Sequence, residues 1–248
     1  NITKVMSNKN FLVTGVSRGL GVQIVRSLLG EKNVVVYGIS RNKSEELSQL
    51  MEQFPDRLKW LGYDLSNTED VRSIFKNFIG FDVPLHGFVN NAAIAYDDII
   101  TNLNYNKLEQ MYKVNVFTPM LMTKYVIRHF LLHQVQGSIV HMSSISVHTG
   151  YKGLAMYAST KGALEAFSKD TAREWGEKGV RSNALVAGFM ETNMSSTLTV
   201  EQKDRIYKRT SLKKATTITS VADTIKFLLS DSAESITGQN IHVDSGTI

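Results

Sequence analysis

The sequence of 248 residues has no cysteine, only three prolines and no apolar run as long as a membrane span. Without cysteine the chain forms no disulfide and offers no thiolate chemistry, as expected of a protein kept in the reducing cytoplasm. A transmembrane helix needs about 20 apolar residues, so we expect no membrane association. Few prolines and no repeat or low-complexity tract leave no linker, which predicts a single domain.

The start of the sequence, NITKVMSNKN, is polar and lacks the apolar core of a signal peptide. We expect residues 1–9 to form a flexible segment, consistent with a remnant of cloning ahead of Met6. The domain is then expected to cover residues 10–248. Together with the lack of cysteine, this start predicts a cytoplasmic location.

Acidic residues are the minority, since 28 lysines and arginines exceed 23 aspartates and glutamates and give a net charge of +5. The basic residues are scattered, and only residues 208–214, KRTSLKK, are locally dense. This cluster lacks the interleaved aromatic residues of a nucleic-acid surface. We interpret it as a solvated face that can meet an anionic ligand, and we expect neither a nucleic-acid partner nor a bound metal.

Short apolar, β-branched runs alternate with longer segments of helical periodicity, such as LGVQIVRSLLG, EDVRSIFKNFI, KLEQMYKVNVFTPMLMTKYVIRHFLL and SVADTIKFLLS. Strands separated by helices predict an α/β fold, a Rossmann-type doubly wound parallel sheet of about seven strands with helices on both faces. Such folds place ligands just after the strands. The runs predicted to be strands are residues 11–15, 34–39, 58–64, 85–92, 137–144, 180–187 and 239–244.

Glycines follow the first predicted strand in TGVSRGLG, residues 14–21. Glycine permits a tight turn and lets the backbone approach a pyrophosphate, which then lies at the N-terminus of the next helix. A strand before the loop and a helix after it are the context that this motif needs, so we predict a dinucleotide site rather than a merely structural turn. The loop residues predicted to contact the cofactor are Gly15, Ser17, Arg18, Gly19, Leu20 and Gly21.

No acidic residue follows the second predicted strand, which ends VVVYGISRN. Sites that prefer NAD usually have an acidic residue there for the adenosine ribose hydroxyls. This chain instead has Ser40 and Arg41, and Arg18 lies in the glycine loop. Two guanidiniums suit a 2′-phosphate, so NADP(H) is preferred over NAD(H). The alternative is that these arginines are only solvated surface.

Tyr157 and Lys161 lie four residues apart in a segment of helical periodicity, and Ser143 and Ser144 precede them. Residues at that spacing share one face of a helix, so the phenol and the ammonium are expected to be neighbours. An ammonium favours the phenolate and can adapt a tyrosine to acid–base catalysis. A serine hydroxyl on the same side would stabilise the developing charge of a carbonyl oxygen. By itself the spacing also fits an ordinary amphipathic helix.

Taken together, these motifs resemble those of the short-chain dehydrogenases/reductases, from Asn10 to the end of the chain. The elements occur in order: TGVSRGLG, the aspartate of YDLS (Asp64), NNAA (residues 90–93), the asparagine of KVNVF (Asn115), the second serine of MSS (Ser144), YASTK (residues 157–161), AGFMETNM (residues 187–194) and SITGQNIHVDSG (residues 235–246). Each motif alone is weak, but the ordered set is specific.

The resemblance implies a role for each matching residue. Tyr157 is expected to be the general acid and base, with Lys161 tuning it and binding the nicotinamide ribose. Ser144, at the family's spacing from the tyrosine, is expected to orient the substrate, with Ser143 as its nearest competitor. Asn115 is expected to hold a water of the proton relay. Further cofactor contacts are expected from Asp64 and Leu65 at the adenine, Asn90 and Ala92 at the adenosine ribose, and Thr192 with the backbone near Gly188 and Phe189 at the nicotinamide.

Three residues depart from the family's pattern. Ala93 stands where a glycine is usual, Ala187 replaces a common proline, and Ser245 replaces a glycine near the C-terminus. None of them removes a reacting group. They therefore bear on substrate shape and on subunit assembly rather than on chemistry.

Within the family the chain looks most like the 3-oxoacyl-[acyl-carrier-protein] reductases. This implies NADPH-dependent reduction of a 3-oxoacyl thioester, linked to acyl-carrier protein or CoA, in fatty acid biosynthesis, by a homotetramer or homodimer. A ketoreductase of secondary metabolism and a sugar or polyol dehydrogenase are the alternatives, and a non-catalytic NADPH sensor is a more distant one. The residues expected to line the substrate pocket are Tyr96, Ser146, His148, Tyr151, Met190 and Met194.

Overall fold

A computed structural model of the protein describes residues 8–191 and 198–247. One sheet of seven parallel strands forms its centre, in the order β3-β2-β1-β4-β5-β6-β7. The order reverses between β1 and β4, and doubly wound folds bind ligands at the carboxyl ends of such strands. The strands are Lys9–Thr14 (β1), Val34–Ser40 (β2), Leu58–Gly62 (β3), Gly87–Asn90 (β4), Ser138–Ser144 (β5), Arg181–Ala187 (β6) and Asn240–Val243 (β7).

Helices cover both faces of the sheet. Helices α1, α2 and α9 pack on one face and α5 on the other, so the buried apolar residues form two clusters separated by the sheet. Strand β2 shows the alternation: Val34 and Val36 join one cluster, and Val35 and Tyr37 join the other. The helices are Leu20–Leu29 (α1), Glu45–Gln53 (α2), Val71–Ser73 (α3), Tyr105–Tyr112 (α4), Thr118–His133 (α5), Ser146–Thr149 (α6), Ala155–Trp175 (α7), Val200–Arg209 (α8) and Ile218–Leu229 (α9).

The sequence predicted the strands closely and the fold class correctly. One difference is at the start, where Lys9 already pairs with Val34, so the folded chain begins before the predicted boundary at residue 10. A second difference is that two predicted helices contain π-helical segments, Ile74–Ile79 and Lys113–Phe117. Such segments shift the backbone hydrogen bonds by one residue and are frequent at functional sites.

Candidate active site

A cavity of about 820 Å³ opens at the carboxyl ends of the strands, where the strand order reverses. Its walls include the glycine loop after β1, the ends of β2 to β6, and the first turns of α7. Among the predicted cofactor residues, its lining contains Gly15, Ser17, Arg18, Gly19, Leu20, Gly21, Ser40, Arg41, Asp64, Leu65, Ala92, Tyr157 and Lys161. Most of the residues singled out for the nucleotide therefore meet at one cavity, and Asn90, Gly188 and Thr192 are the exceptions.

The glycine loop has the close backbone approaches that exclude side chains. Gly15 has φ +75°, and a Cβ atom there would lie 2.9 Å from the Cα of Ala92. At Gly21 a Cβ would lie 1.8 Å from the carbonyl oxygen of Gly15. Helix α1 begins at Leu20 with no side-chain cap at Gly19 and no acidic residue in its first turn. Its first amides therefore border the cavity and suit an anion.

Asn91 joins the end of β4 to the glycine loop and directly follows Asn90, the residue predicted to meet the adenosine ribose. The Asn91 side-chain amide donates to the carbonyls of Thr14 at 3.0 Å and Gly15 at 3.2 Å. The Asn90 side chain is buried, and its Nδ2 lies 3.3 Å from Nδ1 of His141. Asn91, and not Asn90, is part of the cavity lining.

Arg18 and Arg41 both line the cavity, with Arg18 in the glycine loop and Arg41 just after β2. Neither guanidinium forms an ion pair with a carboxylate in residues 8–191 or 198–247. The Ser66 amide is the main cause of the lowered pKa of Asp64, and the charge of Arg41 lowers it further. Ser40 is committed elsewhere, since its hydroxyl donates to the Asn42 carbonyl and accepts from Nε1 of Trp60, each at 2.9 Å. The two arginines are thus the residues at this corner that can meet an anion.

Tyr157 and Lys161 occupy one face of α7, as the spacing predicted. The Nζ atom of Lys161 lies 5.7 Å from the Tyr157 ring centroid and donates to the Met142 carbonyl at 2.8 Å. Burial lowers the pKa of Lys161 to about 8. Burial, assisted by the negative charge of Asp97, raises the pKa of Tyr157 to about 12. The net pKa of Tyr157 is thus raised rather than lowered, because removal from water has the larger effect.

The two serines at the end of β5 have different hydrogen-bond partners. Ser143 lines the cavity, but its hydroxyl donates to the carboxylate of Glu165. The Oγ atom of Ser144 accepts from the amide of Ser146 at 3.2 Å and from its hydroxyl at 3.0 Å. Among the described residues, the Ser144 hydroxyl hydrogen has no protein acceptor. The hydrogen of Ser144 is therefore unused and that of Ser143 is already used, although Ser143 and not Ser144 belongs to the cavity lining.

Asn115 is fully buried in the π-helical segment between α4 and α5. Its side chain exchanges two 2.9 Å hydrogen bonds with the backbone of Ile94 and donates to the Thr160 hydroxyl at 3.1 Å. That hydroxyl donates to the carbonyl of Tyr157 at 2.7 Å. The side chain of Asn115 thus fixes the loop after β4 to the first turn of α7.

The predicted substrate residues do not all meet at the cavity. Met190 lines it. The Tyr96 hydroxyl instead donates to the Asn102 carbonyl at 3.1 Å, within its own loop. Tyr151 lines a second recess with Lys152 and Arg209. Two predicted residues, Thr192 and Met194, lie outside the described residues.

Three other predicted residues have structural partners. Ser146 is buried against Ser144. Nε2 of His148 lies 3.1 Å from Oε1 of Glu165. Gly188 is a packing position rather than part of the cavity lining, since a Cβ there would lie 2.6 Å from both the Asp244 Cα and the Thr216 Oγ1.

Several cavity residues were not predicted from the sequence. Asn91 and Glu191 lie in the motifs NNAA and AGFMETNM, but neither was singled out. For most of the others the only signal is position, since they lie in or just after a strand or at the start of a helix at this edge of the sheet. The described residues contain no group of three or more His, Cys, Asp or Glu side chains suited to a metal. Across residues 8–191 and 198–247, no helix combines the length and apolar character needed to cross a membrane.

The residues that line the cavity and were not predicted from the sequence include Tyr63, Asn91, Ile94, Gln110, Met142, Glu191 and Ile218.

Comparison with known proteins gives full-length matches. A family model described as enoyl-(acyl carrier protein) reductase matches residues 15–247. The chain is 30% identical over 241 residues to 3-oxoacyl-[acyl-carrier-protein] reductase FabG of Staphylococcus epidermidis, covering 96% of this chain and 98% of the relative. It is 31% identical over 244 residues to L-xylulose reductase of Caenorhabditis elegans, covering 97% and 96%. The structure of 4-hydroxyisoleucine dehydrogenase complexed with NADH matches with TM-score 0.90 and 25% identity, covering 97% and 98%.

The doubly wound sheet and its glycine-lined cavity define an oxidoreductase of the Rossmann type. The chain belongs to the short-chain dehydrogenase/reductase family, whose members act on an alcohol or a ketone.

Proposed function

We propose that the protein reduces a ketone to a secondary alcohol with NADPH. The observation that carries this proposal is the presence of Tyr157 and Lys161 in the wall of the cavity that the glycine loop also lines. A proton donor and a nucleotide site in one cavity are the two requirements of carbonyl reduction by hydride transfer.

The residues present fit a dinucleotide. The pyrophosphate would meet the first amides of α1, since Gly21 can be only glycine at its distance from Gly15 and the helix N-terminus has no side-chain cap. Asp64 and Leu65 would meet the adenine, and Ala92 the adenosine ribose, with Lys161 holding the nicotinamide ribose. The chemistry that the cofactor supplies when bound is a hydride for the carbonyl carbon.

The proposed preference for NADPH rests on Arg18 and Arg41. Both line the cavity without an ion-pair partner among the described residues, and a 2′-phosphate would supply one. The likeness to 4-hydroxyisoleucine dehydrogenase does not support this preference, because that enzyme was solved with NADH. The charges of Arg18 and Arg41, unpaired among the described residues, are therefore the support for NADPH.

Tyr157 is proposed to protonate the carbonyl oxygen. A pKa of about 12 keeps the phenol protonated near neutral pH, which is the form that reduction requires. As the phenol O–H bond breaks, its proton passes to the substrate oxygen. The positive charge of the Lys161 ammonium stabilises the negative charge left on the tyrosine.

Ser144 is proposed to donate a hydrogen bond to the same oxygen, with the hydrogen that no described residue accepts. Asn115 is proposed to hold a water of the proton relay, from its position in the π-helical segment.

We propose a 3-oxoacyl thioester as the substrate, carried by CoA or by acyl-carrier protein, in fatty acid biosynthesis. The support is the full-length likeness to 3-oxoacyl-[acyl-carrier-protein] reductase and the apolar Met190 in the cavity wall. From the same likeness we propose that the protein is cytoplasmic and forms a homotetramer or homodimer. Light scattering would measure the mass of the assembly.

The test is cofactor oxidation by the purified protein with acetoacetyl-CoA, using NADPH and NADH separately. We expect NADPH to be oxidised at a rate well above that of NADH. Crotonyl-CoA is the matched control, because it replaces the 3-ketone by a carbon–carbon double bond, and it should give no turnover. Oxidation of NADPH with crotonyl-CoA but not with acetoacetyl-CoA would contradict the proposal and favour an enoyl reductase.

A sugar or polyol reductase is the second candidate, favoured by the 31% identity to L-xylulose reductase. The same assay with L-xylulose discriminates the two, since each substrate class should be reduced by only one of them. NADPH binding without oxidation in the presence of any carbonyl substrate would indicate a sensor rather than an enzyme.

A further inference from the structure

Glu165 is a buried carboxylate close to the candidate active site that the proposed reaction does not use. It lies on α7 one turn beyond Lys161 and two turns beyond Tyr157, on the same face, and is 7% exposed. Three side chains from three other elements bind it. They are the Ser143 hydroxyl of β5, Nε2 of His148 in α6 at 3.1 Å, and Nδ2 of Asn240 in β7 at 2.7 Å.

A carboxylate at this depth is unfavourable unless hydrogen bonds replace the water that it loses. An apolar residue would fill the same position between α7 and the sheet without needing such partners. Here Ser143 and His148 both donate to Oε1, and Asn240 donates to Oε2. The carboxylate therefore links α7 to β5, α6 and β7. The residues that these elements position indicate what the carboxylate does.

Two of the three contacts lead to Ser144 from opposite sides. Ser143 directly precedes Ser144, so the hydrogen bond from Ser143 to Glu165 fixes the end of β5 just before Ser144. His148 belongs to α6, which begins at Ser146, and the amide and hydroxyl of Ser146 are the two donors that orient the Ser144 oxygen. The third contact, Asn240, lies in β7 and has no contact with either serine.

We propose that Glu165 is a positioning residue that sets the direction of the Ser144 hydroxyl through Ser143 and through α6. The proposal rests on the proposed function in taking Ser144 as the donor to the substrate oxygen. Glu165 also keeps the hydroxyl of Ser143, which lines the cavity, bound, so that among the described residues only the Ser144 hydrogen is left without a protein acceptor.

Removal of this carboxylate should lower turnover without weakening cofactor binding. In Glu165→Ala we expect kcat to fall by roughly 10- to 100-fold, the size expected from a misplaced reacting group, while the Kd for NADPH changes less than about twofold. Glu165→Gln keeps an acceptor oxygen for Ser143 and His148, so it should restore kcat to within about threefold of the wild type.

Single-contact variants separate positioning from a general loss of packing. Ser143→Ala and His148→Ala each remove one of the two contacts that lead to Ser144, and each should lower kcat. Asn240→Ala is the matched control, because it removes a bond to the same carboxylate but leads to no serine, so kcat should stay within about twofold. These variants also decide the matter if Glu165→Ala does not fold.

A crystal structure of each variant gives a readout that does not depend on the substrate. We expect the 3.0 Å contact between the Ser144 and Ser146 hydroxyls to be lost in Glu165→Ala and kept in Asn240→Ala. The proposal is overturned if this contact persists without Glu165, or if Asn240→Ala lowers kcat as much as Ser143→Ala and His148→Ala. If the wild type reduces no carbonyl, the proposed function fails, and the crystallographic result still decides the role of Glu165.

Discussion

His141, in the middle of β5, should make the protein sensitive to acid. Its side chain is fully buried between the rings of Phe88 and Phe167. Nδ1 accepts from Asn90, so Nε2 carries the hydrogen, and Nε2 has no partner among the described residues. Burial, together with the charge of Lys161, lowers the pKa of His141 from 6.5 to about 3. The folded protein therefore keeps this imidazole neutral.

The magnitude follows from the difference in proton uptake between the two states. Below pH 6.5 the unfolded chain binds a proton at His141, and the folded protein does not until about pH 3. Since the unfolded state binds more protons in that window, the free energy of unfolding falls as the pH falls. Between pH 7 and pH 5 this single residue should lower it by about 2 kcal/mol.

The assay is urea denaturation at pH 7 and at pH 5, at one protein concentration, for the wild type and His141→Val. A β-branched residue suits the central strand and is smaller than histidine, so it fits the site. On acidification, the free energy of unfolding of the variant should fall by about 2 kcal/mol less than that of the wild type. The other buried histidines contribute equally to both proteins. His242→Val, at an exposed strand position, is the control. Equal losses in wild type and His141→Val would refute the reasoning.

Three further predictions concern the cofactor corner and the backbone. Arg18→Ala and Arg41→Ala should each raise the Kd for NADPH about tenfold, or about 1.4 kcal/mol, and leave the Kd for NADH almost unchanged in fluorescence titrations; equal weakening of both would contradict the phosphate role. Gly21→Ala puts a methyl group 1.8 Å from a carbonyl oxygen and should abolish NADPH binding, whereas Gly176→Ala, with open space around it, should not. Ser245, at φ +60°, is in the left-handed region, so Ser245→Gly should raise the free energy of unfolding by about 0.5–1 kcal/mol; a lowered urea midpoint would contradict this.

The sheet and the cavity were predictable because they depend on patterns that the sequence displays directly. Fully buried parallel strands read as continuous apolar runs, as in β2, whose residues are all buried. The glycine loop was predictable for a similar reason, since its role requires residues without side chains at fixed positions after a strand. In both cases the physical requirement restricts the residue type.

The features that the sequence did not predict depend on three-dimensional contacts. Nothing in KVNVF distinguishes a π-helical turn from an α-helical one, because the same periodicity fits both. Which of Asn90 and Asn91 faces the glycine loop is decided by where β4 ends. The raised pKa of Tyr157 depends on burial, which outweighs the neighbouring lysine and cannot be inferred from spacing.

The most direct test of the account is the turnover of Tyr157→Phe beside its affinity for NADPH. The substitution removes only the phenolic oxygen, which is the proposed source of the proton. The account predicts that kcat falls at least about 100-fold, the usual contribution of a general acid, while NADPH binds as tightly as to the wild type. A variant that reduces the ketone at an undiminished rate would contradict the claim that Tyr157 protonates the substrate.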